Sequence, residues 1–384
     1  MQSAVESARE IPTGAVDGFS YAALRMLVGA QRRASLRWLE EFLSPPFGTG
    51  APDEYAASVT LCEDTRRYKE VLAGQPQTEG AALDCFVNDS HMIQLPAWTS
   101  APGITTAFQE SFRVLYTVDP LSRSVTILSP EGSAHARTAL MRVVRELAMN
   151  RARADGGIFL HAAAIAIGGR GMLIAGEKHA GKTSLLFYLL RATGADYIAN
   201  DRVLLPSPAA VSVRGMPTIV TVRPHTLTFF PGLRADLMTR SYYYQRTLAE
   251  AAGDTRPARP WRDGSFGLSP AQVCALLQVE RSAECTPHVL VFPRVTADSA
   301  AGSVCELAPD DAAARLRRAL LSAGLAKKTS DLVGFAGHSS VDDDAVEDMC
   351  RAFTARMTCV ECRLGTSSYE SGALAADCVR LLDN

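Results

Sequence analysis

The sequence predicts an α/β protein: a phosphate-loop core of strands and helices, preceded by a smaller β-rich domain. Three observations predict it. Met172–Leu190 (MLIAGEKHAGKTSLLFYLL) reads as a buried strand, a Gly-bounded loop and a helix, in that order. Two apolar runs, Ile158–Ile167 and Gly171–Ala175, flank a Gly168-Gly169-Arg170 turn, which is a hairpin signal. From Tyr55 to Pro130 the texture is one of short strand-forming runs separated by turn residues.

The whole-chain numbers set bounds on function. A length of 384 residues is enough for two domains. Hydrophobic content of 47% and charged content of 21% are those of an ordinary globular protein. A formal charge of −2 provides no general attraction for nucleic acid or an anionic membrane. No apolar run approaches a membrane span, and the N-terminus lacks a basic-then-apolar signal. The expectation is therefore a cytoplasmic protein with no membrane or nucleic-acid partner. Of the nine cysteines, only Cys359 and Cys362 form a C-x-x-C pair, and zinc would require a second pair or nearby histidines. The pair lies in MTCVECRL, which reads as a strand, so the two thiols should point to opposite faces and stay reduced.

Taken in order, residues 1–54 read as a polar, mobile tail (1–18) and a helix over Phe19–Leu43. The helix is inferred from the spacing of Leu24, Leu27, Leu36, Leu39 and Phe42, and Ser44-Pro45-Pro46 ends it. Residues 55–133 form the small β-rich domain, with strands at Ala56–Leu61, Ala82–Val87, His91–Leu95, Phe112–Val118 and Ser124–Leu128. Residues 134–384 form the phosphate-loop domain, opening on an amphipathic helix at Ala134–Arg153 with Leu140, Val143, Val144 and Leu147 on one face. Within it, Arg240–Gly267 is rich in Arg, Tyr, Gly and Pro without core periodicity, and reads as a mobile insertion. Its Arg256, Arg259, Trp261 and Arg262 are candidate contacts for an acidic or peptide-like substrate or for a nucleotide base. The acidic run Ser339–Asp348 is best read as a helix N-terminus, where carboxylates are favoured.

The chemistry-bearing residues concentrate around the loop. Gly176, Gly181, Lys182 and Thr183 fit G-x-x-x-x-G-K-[ST] without a gap. The backbone N–H groups of Gly176, Glu177, Lys178, His179, Ala180, Gly181, Lys182, Thr183 and Ser184 would cradle the phosphates of ATP at the helix N-terminus. Lys182 would neutralise the β- and γ-phosphates, and Thr183 would offer its hydroxyl to Mg²⁺. Asp201 follows the apolar run Tyr197–Ala199 and is the best second carboxylate, as Mg²⁺ ligand or base; a turn or cap aspartate is the plainer alternative. Arg294, after Val289–Pro293, should emerge at a strand end, either to clamp a phosphate or as a surface arginine. Arg214 and Arg223 are weaker versions of the same idea. His161 sits among Ala, Ile and Leu, which on its own suggests a core histidine.

A hairpin with His on its first arm, then the loop, a helix and a strand ending in acidic residues resembles the HPr kinase/phosphorylase family. It is closer still to the HPr-kinase-related small kinases of bacterial biosynthetic clusters. The residues that carry the likeness are His161 with its Ala run, Gly176–Thr183 and Ala195–Leu205; Arg214–Pro224, Phe266–Val273 and Val289–Val295 add to it. The resemblance implies an HPr-kinase/PEP-carboxykinase-like fold, with His161 beside the phosphate loop as general base or neutral donor. It also implies assembly into homo-oligomers. Two departures stand out: Lys178-His179 replaces the family's Ser-Gly, and Asn200-Asp201 replaces its paired aspartates. The expected activity is ATP-dependent, Mg²⁺-assisted transfer of the γ-phosphoryl group to a hydroxyl of a small molecule or modified peptide, with Asp201, His161, Lys182 and Arg294 as catalytic residues. The alternatives are adenylyl transfer on the same scaffold, or a nucleotide-gated binding protein without transfer activity.

Overall fold

The computed structural model describes residues 14–50, 54–76, 81–88, 91–296, 302–320, 331–335, 343–370 and 372–383. The protein is mixed α/β, and its contacts divide it into two compact units: the first runs to Asp155 and also takes in the described residues 331–335, and the second comprises the other described residues from Gly156 onward. Residues 1–13 and 339–342, which include most of the expected tail and the start of the acidic run, lie outside the described residues.

The first unit is built on one sheet. Its strands are β1 (Ala15–Tyr21), β2 (Leu24–Ala30), β3 (Gly48–Thr49), β4 (Ala57–Glu63), β5 (Ala82–Asn88), β6 (His91–Ala101), β7 (Ile104–Gln109), β8 (Val114–Asp119) and β9 (Ser124–Ser129). They lie in the order β3-β1-β2-β4-β9-β8-β7-β6-β5, antiparallel except where β4 runs parallel to both β2 and β9. The helices are α1 (Arg33–Leu43), α2 (Thr65–Ala73) and α3 (Ala136–Ala154).

Two expectations are corrected here. The helix predicted over Phe19–Leu43 is a β-hairpin followed by a shorter helix, with Ala15–Gly18 of the supposed tail already in β1. Leu24, Met26, Val28 and Ala30 are all buried, a period of two that outweighs the i, i+3 spacing of Leu24 and Leu27. The division also falls at 155/156 rather than at 133/134. The helix α3 packs its apolar face on β2, β4, β9 and α1, so it belongs to the first unit.

The second unit carries the loop. Its strands are β10 (Ile158–Leu160), β11 (Ala162–Ile167), β12 (Arg170–Ala175), β13 (Asp196–Ala199), β14 (Val203–Leu205), β15 (Val213–Gly215), β16 (Val220–Val222), β17 (Phe266–Leu268), β18 (Glu284–Val295), β19 (Ser303–Glu306) and β20 (Thr358–Leu364). The expected hairpin is β11–β12, closed by Gly168-Gly169, with Ala162 opposite Ala175. The long strand β18 lies parallel to β12 on one side and to β20 on the other. Helices are α4 (Lys182–Thr193), α5 (Pro224–Thr228), α6 (Pro231–Thr239), α7 (Leu248–Ala252), α8 (Pro270–Leu277), α9 (Pro309–Arg318), α10 (Asp343–Thr354) and α11 (Ala373–Asp383).

The sheet is buried on both faces, as parallel strands require. One hydrophobic cluster gathers Ile174, Val291 and Val360 with Leu185, Phe187, Val273 and Leu374 from α4, α8 and α11. The other gathers Leu173, Leu290 and Phe292 with Ala312, Leu316, Met349 and Phe353 from α9 and α10. Cys362 belongs to the first cluster and Cys359 to the second, which is the opposite-face placement expected of a strand.

Residues 240–267 are irregular apart from α7 and the start of β17, yet the segment is anchored at several points. Thr247 and Glu250 form a reciprocal capping box on α7, and Tyr244, Ala258 and Phe266 are buried. In the first unit, Trp38 on α1 is 1% exposed. Its replacement by Ala should cost about 3–5 kcal/mol, measured as a lowered denaturant midpoint; an unchanged midpoint would contradict the packing.

Candidate active site

The loop between β12 and α4 is shaped by its own lysine. Gly176 (φ +152°) and Gly181 (φ +101°) adopt backbone angles that side chains disfavour. A Cβ on Gly181 would lie 3.0 Å from both Leu364 and Val295, so the loop sits directly on the ends of β20 and β18. Lys182, 8% exposed, turns its ammonium back to donate to the carbonyl oxygens of Gly176 (2.7 Å) and Glu177 (2.9 Å). Burial pulls its pKa down, while the charges of Asp201 and Glu177 oppose that shift. Its two carbonyl contacts are weak, replaceable ligands for a cation.

His161 and Asp201 are forty residues apart in sequence and meet beside this loop. His161 falls in the break between β10 and β11, and Asp201 follows β13, which pairs with β11. The imidazole Nε2 lies 2.9 Å from Asp201 Oδ1. Burial pushes the Asp201 carboxyl up, but the hydrogen bond and charge of His161, with Arg202 and Lys182, outweigh it and hold the carboxyl well below the ordinary carboxylate range. Asp201 is therefore the acceptor, and Nε2–H of His161 is the donor. That leaves Nδ1, which has no hydrogen-bond partner among the described residues. The backbone of His161 is fixed as well, since its N–H donates to Ala319 O at 2.7 Å just past the end of α9.

Asn200, which stands where a second carboxylate was expected, is 9% exposed and structural. Its Oδ1 accepts from Tyr197 Oη at 2.7 Å and from Thr218 Oγ1 at 2.9 Å. Ser184 is equally committed: it is 5% exposed, with its hydroxyl 3.2 Å from Thr226, so of the expected loop donors it offers no side chain to a nucleotide. Thr183 is partly exposed at the helix start.

The structure sorts the arginines. Arg294 emerges at the end of β18, next to Pro293, whose Cδ lies 3.8 Å from a Cβ built on Gly176. It is 4.0 Å from Glu361, a buried carboxylate also held by Arg315 and Arg363 at 2.9 Å each. Arg214 pairs with Glu284 at the opposite end of the same strand. At about 3.3 Å per residue that is roughly 30 Å from Arg294, too far to touch a phosphate at the loop. Arg256 is held by Asp254 (2.9 Å), and Trp261 lies over Gly267 and edge-on to Tyr244, so both brace their own segment. Two contacts escaped the sequence reading: Arg202 lies 3.6 Å from Asp201, and Arg318 of α9 lies 3.7 Å from Glu177 in the loop. The first is adjacent in sequence and could have been suspected; the second joins residues with no local signal.

Among the described residues, no group of three or more His, Cys, Asp or Glu is placed to hold a metal. The candidate donors are one ionised carboxylate, Asp201, and the hydroxyl of Thr183 at the start of α4. That set fits Mg²⁺ carried in on nucleotide phosphates, which needs few protein ligands, and does not fit a resident zinc. Among the described residues, no helix is long and apolar enough to cross a membrane. Compared with known protein families the chain matches none, and no curated protein matches it in sequence.

Two outcomes follow from this geometry. Because the Asp201 pKa is depressed, its contribution to stability is complete above about pH 4 and fades as the pH falls towards its folded value. The gap in denaturation midpoint between wild type and Asp201→Asn should thus be full above about pH 5 and shrink as the pH falls below about 4; a gap that stays undiminished at the acid limit would contradict the pair. Asn200→Ala strands two buried hydroxyls and should lower stability by about 1–3 kcal/mol in chemical denaturation.

Proposed function

We propose that the chain is an ATP-dependent phosphotransferase with an HPr-kinase-like core, acting on a hydroxyl of a small molecule or a modified peptide. The observation that carries this reading is the His161–Asp201 hydrogen bond of 2.9 Å, beside a loop that holds Lys182. Phosphoryl transfer needs positioned cations, oriented N–H donors and a group to take the proton of the acceptor hydroxyl. Lys182 would exchange two backbone carbonyls for the β- and γ-phosphates. The N–H groups of the loop and of the first turn of α4 would face the same phosphates. Asp201 fixes the imidazole so that Nδ1 of His161 receives the acceptor proton, and it stabilises the imidazolium that results. Mg²⁺, held by Thr183 and Asp201, would neutralise phosphate charge. Arg294, which follows Pro293 at the end of β18, would meet charge on the transferring group.

A second reading, a nucleotide-gated binding protein, is favoured by one observation: Asn200 is locked by Tyr197 and Thr218, which leaves a single carboxylate. Incubation with γ-labelled ATP, Mg²⁺ and the small-molecule and peptide fractions of a cell extract separates the two. The phosphotransferase reading predicts an acid-stable phosphate ester and ADP. It also predicts no labelling by Lys182→Ala and a rate about 10²–10⁴-fold lower for His161→Ala. Release of labelled pyrophosphate, with the AMP moiety carried by the acceptor, would indicate adenylyl transfer instead, and nucleotide binding without any labelled product would favour the binding protein.

A further inference from the structure

His179 is in the middle of the loop with φ +69°, a left-handed conformation that a Cβ disfavours and that glycine adopts freely. A non-glycine residue held there points to a use for its side chain. The use is visible: Nη1 of Arg223 lies 3.3 Å from Nδ1 of His179. A guanidinium can only donate, so Nδ1 accepts and the imidazole proton lies on Nε2.

Arg223 is brought there by the fold. It follows β16 and precedes Pro224, which opens α5 and fixes the direction of the chain. The β16–β17 pairing places residues 263–265 against the same point, and a Cβ on Gly264 would lie 3.1 Å from Pro224 Cγ. Asp263 is also near: its carboxyl is held down first by the N–H and hydroxyl of Ser265, with the charge of Arg223 adding to the effect.

Arg223 also differs from the other arginines around the loop. Arg294 and Arg318 face Glu361 and Glu177, and Arg202 faces Asp201. Arg223 forms no ion pair within 4.0 Å among the described residues; its direct partner is a neutral imidazole. It can therefore move to an anion without breaking a direct ion pair, with Asp263 as its nearby counter-charge.

We propose that Arg223, positioned by His179, binds the terminal phosphate of a nucleoside triphosphate, so that the site distinguishes ATP from ADP. The proposal rests on the phosphotransferase reading, in that it assumes the loop holds phosphates. It assigns to His179 the work of keeping the guanidinium at the loop, in place of the glycine that the backbone angle would favour.

Calorimetric titration with Mg²⁺ and either AMP-PNP, a non-hydrolysable ATP analogue, or ADP tests it. Arg223→Ala should weaken AMP-PNP binding about tenfold or more and leave ADP affinity within about twofold of wild type, since a charge-assisted contact to the terminal phosphate is what is lost. Retained ADP binding also shows that the variant is folded. Arg223→Lys should recover part of the loss, and His179→Gly, which suits the backbone, should weaken AMP-PNP selectively but less. Equal loss for both nucleotides, or no loss for either, overturns the assignment. If wild type binds neither nucleotide, the phosphate-loop reading itself fails, and the assignment with it.

Discussion

Three strands running in one direction organise the second unit. β12, β18 and β20 lie side by side and parallel, and they end at one edge of the sheet. The loop after β12 must therefore cross the tips of the other two, and Gly181 does so with no room for a side chain against Val295 and Leu364. Everything chemical in this unit is referred to that edge. Lys182 starts the helix that leaves it, Arg294 projects from it, and α9 ends close enough for Arg318 to reach Glu177 and for Ala319 to hold the backbone of His161. A hydrophobic cluster on each face of the sheet fixes the helices, so the polar groups at the edge inherit their positions from packing.

The polar groups are arranged so that few buried charges are left unanswered. The Lys182 ammonium is solvated by two carbonyls, and the Asp201 carboxylate by His161, Arg202 and Lys182. Buried Glu361 has three arginines. Lys182 and Glu361 are buried ions that would be costly without these partners, whereas Asp201 is only partly buried. The arrangements differ in what they leave free. Asn200 has its carbonyl oxygen fully engaged, whereas Lys182 holds replaceable carbonyls and His161 keeps one ring nitrogen without a partner among the described residues. That difference separates the groups that support the site from those able to change partners.

Much of this was legible in the sequence where the signal is contiguous. The β11–β12 hairpin, the loop and α4 occupy one unbroken stretch, and glycines mark its turns, so their order could be read directly. The opposite faces of Cys359 and Cys362 followed from strand geometry alone. The first hairpin was not legible, because its turn is made by Ala22 at φ +49° without a Gly, Asn or Pro signal, and Leu24, Leu27, Leu36 and Leu39 mimic a helix. The place of α3 was misread because amphipathicity shows that a face is buried, not which sheet buries it. The strand β7 (ITTAFQ) was missed, since two threonines beside each other blur its alternation. At the site, the place of His161 beside the loop was expected only through resemblance and Asp201 from its position after an apolar strand, while their hydrogen bond was not read at all; Arg223–His179 depends on a 44-residue separation closed by β16 and α5.

On the proposed reading, this loop holds the phosphates of a nucleotide next to the His161–Asp201 pair. A crystal structure with Mg²⁺ and AMP-PNP tests it most directly. In that complex Lys182 Nζ should leave the carbonyl oxygens of Gly176 and Glu177 for phosphate oxygens, while His161 and Asp201 keep their hydrogen bond beside the terminal phosphate. Phosphates bound elsewhere, or a Lys182 that stays on its carbonyls with nucleotide present, would contradict it.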